Sequence, residues 1–256
     1  MQKVCRILSL YVRQLCLIRG INYDKLEKKA ERVNCMNKPS ALSLSMISHE
    51  LGNPLTLIHS TLQLLGCHYP EVTKDPLWPQ LILDIDYMSQ LLSELSSLNS
   101  SQNLKYARID IRQFLTNMTG SFSSEVQKQN KTLSFNIETS QTLLYGDALK
   151  LREVFMNLIK NAMEATSDGD QILIDVKSKW NCLVFQVSDT GCGMDEERVK
   201  TIFEPFTTYK SNGTGLGLTI VKNIIEAHGG RIQVYSRLSE GTCFVILLPL
   251  KPPKMK

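Results

Sequence analysis

The sequence lacks the closely spaced cysteine pairs that mark a metal clip, a redox motif or a disulfide-stapled scaffold. Its seven cysteines (Cys5, Cys16, Cys35, Cys67, Cys182, Cys192 and Cys243) are scattered. They are expected to be reduced thiols, small core residues of a cytoplasmic protein. A bilayer-spanning apolar run is also missing: the best candidate, residues 4–18, is interrupted by Arg6 and Arg13. No small-residue cleavage site follows it, which excludes a signal-peptide reading. There is no internal repeat and no low-complexity tract. The net charge is only +4 over 256 residues, and no nucleic-acid partner is expected.

The charge is uneven. Residues 1–40 hold nine Lys or Arg against three Asp or Glu, which makes that segment +6 and the remainder −2. Val4, Leu8, Tyr11, Leu15 and Ile18 recur at three or four residues, the stripe of an amphipathic helix ended by Gly20. Its first reading is packing or dimerisation. Residues 1–20 are also a candidate for peripheral contact with an anionic membrane.

From residue 41 to 65, Leu44, Ile47, Leu51, Leu55, Ile58, Leu62 and Leu65 step by three and four, a long helical stripe. Gly66 and residues 70–79 form the expected connection. A second helix follows with Leu81, Ile85, Met88, Leu92, Leu95 and Leu98 on one face. Two such stripes lack partners within one hairpin, so a homodimeric four-helix bundle is the expected burial solution. After residue 103 the texture changes. Strand-like runs at 133–137, 172–177, 183–188, 231–235 and 243–248 alternate with helical patterns at 111–128, 147–166 and 219–228. The fold class is therefore α+β: an N-terminal antiparallel helical hairpin, then an α/β sandwich with helices on one sheet face. The expected divisions are a basic segment (1–38), the hairpin (39–103) and the α/β domain (104–256).

Three short segments of the α/β domain carry chemistry. Asp189-Thr-Gly191-Cys-Gly193 follows a strand, where the carboxylate can accept from an amino group and the glycines admit close approach. Gly213-Thr214-Gly215-Leu216-Gly217-Leu218 feeds a helix N-terminus, whose N–H groups and dipole favour phosphate. Glu153, Asn157, Lys160 and Asn161 share one side of a helix, where an amide oxygen suits Mg²⁺ and a lysine suits phosphate. In the hairpin, Ser45, His49, Asn53 and Thr56 lie near one helical side. An imidazole has a neutral nitrogen near pH 7, and the adjacent Glu50 can take its proton. The zinc-protease pattern fails, because Asn53 stands where the second histidine is needed. His59 reads as exposed or capping, and His228 as a helix C-cap whose protonated form complements the dipole.

Taken in order, these segments resemble the ATP-binding domain shared by sensor histidine kinases, gyrase-type ATPases and mismatch-repair ATPases. Asn157-Leu-Ile-Lys160-Asn161-Ala is similar to the N-box, Asp189 to Gly193 to the G1 box, and Gly213 to Leu218 to the G2 box. Phe203-Glu-Pro-Phe206 looks like the F-box of the histidine-kinase branch, and Gly241-Thr242 like the closing G3 feature. His49-Glu50-Leu-Gly-Asn53-Pro-Leu-Thr56 is similar to the histidine-kinase H-box. The resemblance, nearest to soluble sporulation-type kinases, implies ATP and Mg²⁺ as cofactors and a response-regulator receiver domain as partner. It implies that Asp189 reads the adenine amino group, that Asn157 holds Mg²⁺, and that Lys160 and Asn161 face the phosphates. Gly215 and Gly217 would let the lid close, with Lys210 reaching the terminal phosphate. His49 would be the phospho-acceptor and Glu50 the acid/base. Asn53 would serve a phosphatase reaction on the regulator.

Two positions depart from the family pattern: Gly52 replaces a commonly basic residue, and Thr207-Thr-Tyr209 alters the lid. A non-enzymatic phosphotransfer or scaffolding dimer is one alternative, opposed by the intact ATP boxes. An anti-sigma-type serine kinase is the other, opposed by His49 with Glu50 and Asn53.

Overall fold

The three- and four-residue apolar step of the hairpin is realised as helix α1 (Ala41–His68) and, after a 3₁₀ turn at Val72–Lys74, helix α2 (Trp78–Ser100). The computed structural model describes residues 41–100, 103–210 and 213–251; the amphipathic stripe and basic segment expected over residues 1–38 lie outside them. Helix α1 does not stop at Gly66. A Cβ there would stand 3.1 Å from Thr73 Cγ2 and 3.2 Å from Trp78 Cζ2, so the glycine lets the connection pack on a helix that continues. Pro79 falls in the first turn of α2, where its missing N–H costs nothing. Pro54 lies inside α1 and removes the N–H that would bond the Glu50 carbonyl.

Leu55 of α1 and Ile85 of α2 are buried, while Leu57, Leu64, Leu81 and Leu83 are exposed. Leu91, Leu95 and Leu98 pack instead on the core of the α/β portion. Part of the α2 stripe thus has a partner within its own chain, which the hairpin pattern did not anticipate. From Ser45 onward the chain is one compact unit. Among the described residues no helix is long and apolar enough to cross a membrane.

The rest comprises β1 (Ala107–Asp110), α3 (Ile111–Lys128), β2 (Thr132–Ile137), β3 (Leu143–Gly146), α4 (Ala148–Ala165), β4 (Gln171–Lys179) and β5 (Cys182–Asp189). It continues with α5 (Glu196–Thr201), α6 (Gly217–Ala227), β6 (Arg231–Arg237) and β7 (Gly241–Pro249). The main sheet has the order β2-β4-β5-β7-β6, with β2 parallel to β4 and the other pairs antiparallel. Its strands alternate: Ile172, Ile174, Val176, Leu183, Phe185, Val187, Phe244, Ile246 and Leu248 are buried on one face. Helices α3, α4 and α6 cover that face, as the period of two requires when only one side is fully buried. Phe155 joins the layers, edge-on to Phe114 at 5.8 Å and to Phe185 at 5.2 Å. The pair β1–β3 forms a separate two-stranded antiparallel sheet. Four-residue strands carry too little alternation to be read from sequence, and α5, at six residues, is under two helical turns.

Gly52 meets nothing within 4 Å of where a Cβ would stand. Gly52→Ala is therefore expected to stabilise the chain by about 1 kcal/mol through helix propensity. A thermal midpoint that fails to rise would show that α1 needs the glycine's freedom.

Candidate nucleotide and phosphotransfer site

Asp189 ends β5 with its side chain 8% exposed. Its Oδ1 accepts from Gly191 N at 3.0 Å and from Thr242 N at 3.3 Å. Oδ2 accepts no hydrogen bond from the described residues, so one acceptor oxygen is left for a donor from outside. Burial raises the carboxyl above its ordinary range, with Asp170 adding to the rise, and the two N–H groups draw it partly back. The turn after it is glycine by necessity. Gly193 has φ +64°, and a Cβ there would lie 1.8 Å from the Arg237 carbonyl oxygen. Ser236, which no sequence pattern marked, supports this corner: its Oγ accepts from Met194 N at 2.8 Å and lies 2.9 Å from Thr242 Oγ1.

Helix α4 starts at the N-cap Asp147, whose carboxylate accepts from Leu149 N and Lys150 N, and carries the amide pair. Asn157 Nδ2 donates to the Glu153 carbonyl at 3.0 Å. Its Oδ1 thereby faces the G2 turn, 2.9 Å from where a Gly217 Cβ would be. Lys160 is exposed on the same side. Asn161 Oδ1 accepts from Lys210 Nζ at 2.8 Å, and Lys210 also pairs with Glu164. The lid lysine thus reaches across to α4 here. An open groove of about 770 Å³ runs along this face, lined by Glu94, Glu153, Asn157, Lys160 and Glu164 among others. Asp189 lies outside that lining. Among the described residues no cluster of three His, Cys, Asp or Glu could hold a metal, so a cation here would depend on the Asn157 amide oxygen and on ligand oxygens. That donor set fits Mg²⁺, which keeps phosphate and water oxygens.

The lid closes on itself. Phe206 N donates to Gly215 O at 2.9 Å, and Gly215, at φ +70°, would place a Cβ 2.5 Å from the Phe206 carbonyl carbon. Leu216 is fully buried and Leu218 packs on the core. Gly213 opens this turn and Gly217 separates the two leucines; α6 begins at Gly217, so its first N–H groups open toward this turn. Thr214 is buried and donates its hydroxyl to Glu94 of α2.

At the hairpin end, His49 belongs to α1; its side chain lies outside the described residues. Glu50 and Asn53 are exposed and Ser48 is buried. A second cavity, about 780 Å³, is lined by Ser48, Asn53 and Thr56 of α1, by Ser93 of α2, and by Lys150 and Glu153 of α4, among others. Ser93 and Glu153 line both cavities. The turn of α1 bearing Ser48 and Asn53 and the α4 face bearing Asn157 are therefore neighbours. Two of the other histidines among the four have partners that the sequence did not reveal. His59, read as exposed or capping, is part-exposed, with its Nε2 3.5 Å from Asp86 Oδ1 of α2. His228 is 3% exposed: its Nδ1 donates to Ile224 O at 2.7 Å, its Nε2 accepts from Asp147 N at 3.0 Å, and Tyr106 packs beside the ring.

His228 is the C-cap of α6, as its sequence context indicates, but it is not a cationic one. Nε2 faces a donor, so the ring is neutral. Burial pushes its pKa below the ordinary 6.5, while the Ile224 bond and the Asp147 charge oppose that fall. With the folded value depressed, the unfolded chain binds more protons. The stability held above pH 6.5 is then lost as pH falls toward the folded value. The thermal midpoint should drop between pH 7.5 and about 5.5, and the drop should flatten in His228→Gln. A level profile in the unsubstituted protein would contradict the neutral, buried ring.

Residues 146–252 match the family of histidine kinase-, DNA gyrase B- and HSP90-like ATPases. Over 229 residues the chain is 30% identical to sporulation kinase C of Bacillus subtilis (strain 168), covering 89% of this chain and 52% of that protein. It is 31% identical to the sensor histidine kinase ZraS of Klebsiella oxytoca, covering 80% of this chain and 45% of that one. The chain thus spans about half the length of these curated relatives. Its fold is similar to part of full-length ShkA, solved in complex with AMPPNP, with TM-score 0.72, 22% identity, and coverage of 84% of this chain and 47% of that one. The histidine kinase ThkA, solved in complex with the response regulator protein TrrA, also matches, with TM-score 0.62, 24% identity, and coverage of 91% and 67%. Residues 146–252 therefore match the histidine kinase-, DNA gyrase B- and HSP90-like ATPase family, in a chain similar in sequence to sporulation kinases and sensor histidine kinases.

Proposed function

We propose that this chain is an ATP-dependent protein histidine kinase that phosphorylates its own His49 and passes the phosphoryl group to an aspartate of a response-regulator receiver domain. The observation carrying this reading is the shared wall: Ser93 and Glu153 border both the groove beside Asn157 and Lys160 and the cavity beneath Ser48 and Asn53. That wall supports the reading because it sets the α4 face of Asn157 beside the α1 turn of Ser48 and Asn53.

In the proposed reaction, Asp189 Oδ2 accepts from the adenine amino group. Lys160 and the N–H groups at the start of α6 meet phosphate charge, with Asn161 and Lys210 beside them, and the Asn157 oxygen holds Mg²⁺. That ion supplies charge neutralisation of the phosphates when bound. One His49 nitrogen attacks the γ-phosphorus, forming the N–P bond as the bond to the ADP oxygen breaks. Glu50 receives the proton from the other ring nitrogen. The receiver aspartate then takes the phosphoryl group, and Asn53 orients water for the reverse, phosphatase step. The solved ThkA complex with a response regulator supports this choice of partner. Exposed Leu57, Leu64, Leu81 and Leu83 on the hairpin support a homodimer, since two copies would bury them as a four-helix bundle.

The test is incubation with γ-labelled ATP followed by acid and alkali. Label stable to alkali and lost in acid is the expected result. Label that survives acid would replace this reading with a serine kinase, and absence of label would leave the scaffolding dimer.

A further inference from the structure

Glu94 of α2 borders the same groove as Asn157 and Lys160. Its Oε1 accepts from Gln90 Nε2 at 2.8 Å, one helical turn away. Its Oε2 accepts the hydroxyl proton of Thr214, a buried residue 120 positions distant at the centre of the glycine-rich turn. Thr214 Oγ1 in turn lies 3.4 Å from Leu216 N. A hydroxyl has one proton, and here it is given to a carboxylate. Among the described residues no Lys, Arg or His forms an ion pair with Glu94. A formal negative charge therefore stands, uncompensated by a direct cation, at the turn and helix start best suited to an anion.

The contact is held in place from the next turn of α2. Ser97 donates to Glu153 of α4, and Lys150 Nζ reaches Ser97 Oγ at 3.2 Å, Ser100 Oγ at 3.0 Å and Glu153 Oε2 at 3.1 Å. Helix α2 is thus fastened both to the helix bearing Asn157 and to the lid. It is also a wall of the hairpin that carries His49.

We propose that Glu94 is an internal competitor for the nucleotide's phosphates: bonded to Thr214, it occupies the lid's hydroxyl donor and repels phosphate, and it must withdraw for ATP to seat. The proposal rests on the ATP reading above. It makes the nucleotide affinity a property of the hairpin, because any shift of α2 that carries Glu94 off Thr214 removes a like charge from the phosphate end.

Calorimetric titration of the unsubstituted chain, Glu94→Gln and Glu94→Ala with Mg²⁺–ATP, Mg²⁺–ADP and adenosine tests it. Glutamine keeps the shape and an acceptor for Thr214, so that variant isolates the charge. ATP should bind on the order of tenfold more tightly to Glu94→Gln, ADP with a smaller gain, and adenosine without change. Glu94→Ala should move ATP in the same direction, and thermal unfolding without nucleotide checks that both variants are folded. Unchanged ATP affinity, or an equal gain for adenosine, overturns the competitor role. No nucleotide binding to any of the three proteins overturns the ATP reading itself, a distinguishable outcome.

Discussion

His49→Gln should abolish acid-labile labelling by γ-labelled ATP while leaving nucleotide affinity unchanged. Glutamine is close to histidine in length and polarity, and a helix tolerates it well. Its amide nitrogen is not nucleophilic, because the lone pair is delocalised into the carbonyl, so no N–P bond forms. The groups proposed to hold ATP belong to α4, the Asp189 corner and the G2 turn, not to α1. Binding and transfer should therefore separate cleanly: titration with ATP unaltered, phosphoryl transfer reduced to background. Asn53→Ala in the same assay serves as the contrast, since Asn53 is assigned to the reverse step and the label should persist. Residual acid-labile label in His49→Gln would move the acceptor to another histidine. His59, paired with Asp86 on the facing helix, would be the next to substitute.

The second large effect is expected at Asp189, and it has two faces. Asp189→Asn keeps an oxygen for Gly191 N and Thr242 N but turns the free Oδ2 into an NH₂ group. A donor then meets the proposed amino donor of adenine. Losing a hydrogen bond to a charged acceptor and leaving a donor unpaired costs roughly 3 kcal/mol, or about 150-fold in affinity. The apo protein should change in the opposite sense. Burial and Asp170 raise the Asp189 carboxyl above its ordinary 3.8. A raised folded value stabilises the fold at low pH and loses that contribution as pH rises through it, so the ionised group is a burden at pH 7. Asparagine carries no charge and removes the burden. Nucleotide titration and a nucleotide-free thermal midpoint at pH 7 measure both faces. Retained affinity would remove Asp189 from base recognition. A lowered midpoint would contradict the cost assigned to its charge.

Taken together, these expectations describe a site whose parts are stabilised for different tasks. Asp189 is kept partly unsatisfied at a cost, in keeping with the ligand role proposed for it. His228 is the reverse: every polar atom of its ring is spoken for, and its consequence is stability at neutral pH. The Glu94 contact lies between these cases, since it ties two parts of the molecule at a place a nucleotide would claim.

Much of this was legible locally. Strand-like runs located β2, β4, β5, β6 and β7, and α3 runs from Ile111 to Lys128 as its pattern indicates. The Asp189, Gly213–Leu218 and Asn157–Asn161 segments announced themselves because turn glycines, a strand-end carboxylate and an i, i+4 amide pair express their chemistry within a few residues. Gly66 misled, since a glycine ends a helix only when nothing else uses the space its missing Cβ leaves. Here Thr73 and Trp78 use it.

What the sequence by itself determined, then, is the α+β class, the order of the longer elements and the inventory of reactive groups, because periodicity and backbone chemistry are short-range. Only the tertiary structure decided their state. Asp147 and His228 are 81 residues apart, Ser97 and Glu153 are 56 apart, and Glu94 and Thr214 are 120 apart. Whether a histidine is neutral, a stripe covered or a lid hydroxyl engaged depends on burial and partners at such separations. No local pattern encodes them.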